Sequence, residues 1–158
     1  MTITDHLFSG SALGSVDAAG SVLLPALVLS IVHRRHAGNV LLVGPHDSDP
    51  CLTGYDAGYA RILHIDHERR RLLEDGGAAQ ISRARRVFGR TEETAFAPSG
   101  RIVLPPMLRR KARIEVLALF VGAGGNFEIW NPALALESGD EVLRELAAWR
   151  LEDLPIAC

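Results

Sequence analysis

The sequence predicts an α+β, β-rich fold in which two copies of one unit form an intrachain pseudo-dimer with peripheral helices. Three observations predict it. The chain of 158 residues repeats one pattern at an interval of about 80 positions. Its β-prone runs are short, and a few short strands cannot bury their own faces without partners. Helical patterns fill the middle and the end of the chain.

The first copy opens at Val16-Asp17-Ala18-Ala19-Gly20-Ser21-Val22-Leu23-Leu24-Pro25, and the second at Phe96-Ala97-Pro98-Ser99-Gly100-Arg101-Ile102-Val103-Leu104-Pro105. Each reads as an apolar residue, a turn closed by glycine, a short β-prone run and Leu-Pro. Gly20 and Gly100 allow the turn, which predicts a tight hairpin in each copy. Pro25 and Pro105 suit a first helical turn, where the missing N–H costs nothing. Short helices are therefore expected over 26–35 and 107–112. Strands ending at Gly44 and Gly122 come next, then strands ending near Tyr55 and Trp130, whose rings are placed to seal the core. Between the copies, helices are expected over 59–73 and 78–88, separated by Asp75-Gly76-Gly77. After the second copy, 132–151 reads as helical with Leu134, Leu136, Val142, Leu143, Leu146 and Trp149 on one face, interrupted at Ser138-Gly139-Asp140. The resulting division is 1–60 for the first repeat, 61–89 for an Arg-rich helical linker, and 90–158 for the second repeat with its C-terminal helix.

Composition narrows the function. With 47% hydrophobic and 23% charged residues, the chain has the make-up of a folded domain rather than a disordered one. No run of about 20 apolar residues occurs, so no spanning helix or membrane partner is expected. The N-terminal Met1-Thr2-Ile3-Thr4-Asp5-His6 lacks a signal-peptide pattern, which predicts a cytoplasmic protein. Cys51 and Cys158 are too few for a disulfide framework or a cysteine zinc site. The net charge of −2 is unevenly spread: 13 of the 17 basic residues fall within 61–113. A polyanion partner therefore stays open, since attraction follows local charge.

The series Gly100-Arg101, Leu104-Pro105-Pro106, Leu108-Arg109 and Phe127-Glu128-Ile129-Trp130, preceded by Arg86-Val87-Phe88, resembles the MraZ family. These are bacterial transcription regulators of the division and cell wall gene cluster. The resemblance implies two tandem AbrB-like repeats (swapped-hairpin, β-barrel-like). It further implies DNA binding at promoter repeats, a ring-like homo-oligomer and a nucleoid-associated location. The family carries an Asp-x-x-x-Arg motif in each repeat, with its arginine implicated in DNA binding. Here the first copy has Asp17 but Ser21, and the second has Arg101 but Ala97. The candidate DNA-binding residues are Arg101, Arg109, Asp17 and Ser21, and Ser21→Arg is expected to tighten binding. A ring-forming scaffold with weakened DNA binding is the alternative.

Blander readings stand beside these. Asp17 either orients an arginine or caps its own turn, the commoner use of Asp. Arg34-Arg35 and Arg109-Arg110-Lys111 suit helix C-termini whatever the function. Arg69-Arg70-Arg71 and Arg83, Arg85 and Arg86 form a basic face or merely keep helices solvated. The His33/His36 and His64/His67 pairs lack further ligands, so no metal is expected. Gly122-Ala123-Gly124-Gly125 reads as a hairpin turn rather than a phosphate loop. No nucleophile–base motif is evident, and neither an enzyme, a cofactor nor a small-molecule substrate is expected.

Overall fold

A computed structural model describes residues 6–74 and 77–154. The expectations for the N-terminal five residues, for Asp75-Gly76 and for Cys158 lie outside the described residues. The first half supplies β1 (Ser11–Ser15), β2 (Ser21–Leu23), α1 (Ala26–Arg34), β3 (Val40–Pro45) and β4 (Leu52–Tyr55). Two helices follow, α2 (Ala57–Leu73) and α3 (Ala78–Val87). The second half gives β5 (Glu92–Ala95), β6 (Arg101–Val103), α4 (Pro106–Lys111), β7 (Leu117–Gly122) and β8 (Phe127–Trp130), then α5 (Pro132–Leu136) and α6 (Glu141–Glu152). The chain is thus a mixed α+β protein, with strand and helix positions close to those expected.

Strand pairing crosses between the halves. The large sheet runs β1-β7-β8-β4-β3-β5, all antiparallel, and a separate two-stranded sheet pairs β2 with β6. From either edge inward the order visits corresponding strands, β1 and β5, then β7 and β3, with β8 and β4 paired at the centre. The turns at Gly20 (φ +84°) and Gly100 (φ +90°) form, each closed by a glycine N–H donating to the carbonyl three residues back. The expected hairpins extend one step further, with the Asp17 N–H donating to the Ser21 carbonyl (3.0 Å), the Ala97 N–H to the Arg101 carbonyl (2.9 Å) and Phe96 bridged to Ile102 in the second, but neither grows into a regular ladder of its own. Instead β2 and β6 meet each other, in the register Ser21↔Val103, Val22↔Ile102 and Leu23↔Arg101. Reciprocal bonds close this ribbon, Leu24 N–H to the Gly100 carbonyl and Leu104 N–H to the Gly20 carbonyl, each 2.9 Å. The physical reason is burial. Pairing β2 with β6 puts Val22 opposite Ile102, and both side chains sink into the core.

That core draws on both halves, with Phe8, Val22, Leu41 and Leu52 packed against Ile102, Leu104, Phe120 and Phe127. Phe127 stacks edge-on to Phe8 at 5.1 Å and lies directly over Gly54. A methyl group at position 54 would run into the Phe127 ring, which the surrounding core holds. Gly54→Ala is accordingly expected to cost about 1–3 kcal/mol through overpacking, read as a lower urea midpoint. Tyr55 and Trp130 are buried as expected, Tyr55 Oη lying 3.4 Å from Thr91 Oγ1 and Trp130 Nε1 donating to Glu128.

The C-terminal helical segment departs from expectation in its facing. Leu143 and Ala147 turn inward, whereas Val142 and Trp149 point out, Trp149 with 52% of its surface accessible. Two apolar stripes exist on α6, and the small Ala147 lets that side approach the Trp130 cluster closely. The expected interruption is present: Asp140 caps α6 by accepting from the Val142 N–H at 2.9 Å.

Candidate functional site

The β2–β6 ribbon has two unlike faces. Val22 and Ile102 point inward, and by alternation Ser21, Leu23, Arg101 and Val103 occupy the opposite face. Leu23 and Val103 are 49% and 52% exposed there, and Arg101 is exposed as well. On this face Leu23 lies opposite Arg101 and Ser21 opposite Val103, so Ser21–Arg101 and Leu23–Val103 are the two diagonals. Arg101 Nη1 donates to Ser21 Oγ at 3.1 Å, so its side chain reaches along one diagonal and passes between the two aliphatic groups.

The other candidate residues take different places. One Asp17 carboxylate oxygen accepts from the Ala19 N–H (3.0 Å) and from the Ser21 N–H (2.8 Å). Asp17 therefore builds the turn that presents β2, and among the described residues no bond to Arg101 is found. Position 21 is not an empty seat for an arginine. Ser21 is only 7% exposed and its hydroxyl is Arg101's acceptor. The expectation for Ser21→Arg changes accordingly: the new side chain would remove that acceptor and set two guanidinium groups on one diagonal.

Arg109 is turned onto backbone. Its Nε donates to the Ile114 carbonyl at 3.0 Å, its Nη1 to Ala18 at 3.4 Å and its Nη2 to Glu115 at 3.5 Å. The side chain lies over Gly20, where a Cβ would press on it, just as Leu29 of α1 lies over Gly100. Arg109 thus ties the end of α4 to the turn of the opposite half. Beside it, Arg110, Lys111 and Arg113 are exposed, and Arg109, Arg110 and Arg113 line a hollow of about 570 Å³ with Pro106, Ile114, Glu115 and Asn131. Cations therefore gather at the Gly20 end of the ribbon.

Four arginines of the Arg-rich linker have carboxylate partners. Arg70 and Arg83 approach Asp66, Arg71 binds Glu68, and Arg86 binds Asp47 at 2.8 Å. The Arg86 hydrogen bond and charge hold the Asp47 carboxyl below its usual range. Its small contribution to stability is present above that range and is lost as pH falls through the depressed value. Arg35 is likewise internal, bonded to Asp56 at 3.0 Å, to the His6 and Gly125 carbonyls, and stacked over Phe8 at 4.6 Å.

One grouping escaped the sequence reading. His46, Asp49 and Glu128 converge where β4 pairs with β8, with His46 Nε2 3.4 Å from Glu128. His46 Nδ1 accepts from the Ser48 and Asp49 N–H groups. In the neutral ring that leaves Nε2 a donor toward Glu128, so the ring offers an ion no free nitrogen. Nearby Cys51 is buried, and burial, with Glu128 and Asp49 adding, pushes its thiol far up. It is a packed thiol rather than a nucleophile.

Interleaved halves, an exposed two-stranded ribbon and a basic helix end beside it define a small α+β protein whose halves exchange strands. Comparison with known proteins agrees on a family. The model described as "MraZ protein, putative antitoxin-like" matches residues 87–134. The "Transcriptional regulator MraZ" of Rhodospirillum rubrum is 33% identical over 132 residues, covering 83% of each chain. Its namesake in Cytophaga hutchinsonii is 32% identical over 133 residues, covering 80% of this chain and 81% of its own. That of Shewanella frigidimarina is 27% identical over 135 residues, covering 85% and 86%. The chain belongs to the MraZ family. These relatives are named as transcriptional regulators, not enzymes, and among the described residues no helix is long and apolar enough to cross a membrane.

Proposed function

We propose that this protein is a DNA-binding transcriptional regulator acting on promoter repeats of the division and cell wall gene cluster. Its two AbrB-like repeats, 1–60 and 90–158 around the 61–89 linker, present the β2–β6 ribbon as the reading element. The observation that carries the proposal is the ribbon's outward face. A two-stranded ribbon fits the major groove, Arg101 is positioned across it, and the cations at the end of α4 flank it where phosphates would run. Arg101 is the contact group, Ser21 its positioner, and Asp17 and Arg109 hold the turn that sets the ribbon's place. Titration against the DNA upstream of the protein's own gene at several salt concentrations tests this. Affinity should fall with a log–log slope of about −0.9 per phosphate contact. Absence of binding at low salt would favour the scaffold reading.

Self-association into a ring is part of the same reading, and two helix stripes support it. On α2, Ile62, Ile65, Leu72 and Leu73 are exposed along one arc that also holds Arg69. On α6, Val142 and Trp149 are exposed along an arc shared with Glu145 and Glu152. Apolar stripes of opposite charge on different elements suit a head-to-tail contact between copies, the kind that closes into rings. Trp149→Glu is expected to reduce the assembly toward the 17.1 kDa protomer in light scattering, without unfolding it, because the side chain is outside the core. Nucleoid association follows from DNA binding.

A further inference from the structure

The ribbon's outward face carries more than a cation. Of its four side chains, one is the exposed Arg101, one the sunken Ser21, and two are half-exposed aliphatic groups, Leu23 and Val103. Both aliphatic groups sit at corresponding positions of the two halves, on the diagonal that the Arg101 side chain crosses. Diagonal cross-strand neighbours lie about 7–8 Å apart. That is about two base-pair steps at ~3.4 Å each. In the major groove an arginine pairs with the O6 and N7 of guanine, while aliphatic side chains find one apolar target, the 5-methyl group of thymine.

Resting on the DNA-binding reading above, we infer that Leu23 and Val103 are specificity residues that contact thymine 5-methyl groups on either side of the guanine read by Arg101. The ligand is thus a guanine bracketed by thymines, one within about a base step on each side. Neither contact needs a charge, so the ratio of affinities they set should change little with salt while the absolute affinity falls.

The test exchanges thymine for uracil, which removes the methyl group and leaves base pairing intact. The own-promoter fragment is prepared once with thymidine and once with deoxyuridine throughout, and both are titrated with wild type and with a Leu23→Ala/Val103→Ala variant. Both side chains are outside the core, so the variant should fold, which its thermal unfolding checks. Burying a methyl group is worth about fourfold in affinity. Wild type should therefore bind the thymidine fragment about 4–16-fold more tightly, and the variant should bind both fragments alike. Equal wild-type affinity for the two fragments overturns the inference while leaving DNA binding intact. A variant that keeps the wild-type preference overturns it as well, by assigning the methyl contact elsewhere. No binding to either fragment removes the DNA-binding reading and this inference together.

Discussion

Asp56→Ala is expected to lower folding stability by about 3–5 kcal/mol, because it breaks a largely buried ion pair and removes a helix cap at once. Asp56 is buried at the junction between β4 and α2 and acts on both sides. One carboxylate oxygen caps α2 by accepting from the Tyr59 N–H at 2.9 Å, and the other binds Arg35 at 3.0 Å. Removing the carboxylate leaves a largely buried guanidinium with carbonyl acceptors but no counter-charge. Asp56→Asn keeps a capping oxygen and should recover about 1 kcal/mol of the loss. Urea unfolding of the three proteins measures both steps. A midpoint for Asp56→Ala within error of wild type would show that the pair contributes nothing net.

Arg101→Ala is expected to weaken promoter binding by about 1–3 kcal/mol if the guanidinium reads a guanine, with relaxed preference at one operator position. If it touches phosphate alone, binding should weaken evenly across sequences and the salt slope should shrink by about one contact. Ser21→Ala should give a smaller loss of the same kind. It removes the hydrogen bond that lays Arg101 across the ribbon but leaves the charge in place. Fluorescence titration at two salt concentrations separates these outcomes, and unchanged affinity for Arg101→Ala would move the contact away from the ribbon.

Much of this architecture was legible before any coordinates. Glycine turns, Leu-Pro helix starts and the spacing of β3 and β4 against β7 and β8 follow local rules, so their positions could be read directly. Strand partners could not. A three-residue strand such as β2 carries no register signal, and its pairing with β6 is decided by where Val22 and Ile102 find burial. The same limit hid the Ser21–Arg101 bond, which joins residues 80 apart, and the His46–Glu128 contact, which exists only because β4 meets β8. Arg109 illustrates a different gap. Its position suggested a cation for the helix C-terminus or for DNA, while three of its donors are taken up by the Ile114, Ala18 and Glu115 carbonyls. On α6 the periodicity was correct but two stripes competed, and only the close packing at Ala147 decides between them.

The exchange of strands also sets a timetable for synthesis. Ser11 of β1 pairs with Val121 of β7, which is made 110 residues later. At about 5–20 residues per second, the ribosome needs roughly 5–20 s to deliver that partner. During this interval β1 and its neighbouring Phe8 are available to any other chain, and no purely local hairpin can shelter them. The protein can therefore reach its native sheet only after β7 and β8 have been made. The nascent first half is the stretch on which a holding chaperone, or a neighbouring nascent copy offering its own β7, would act.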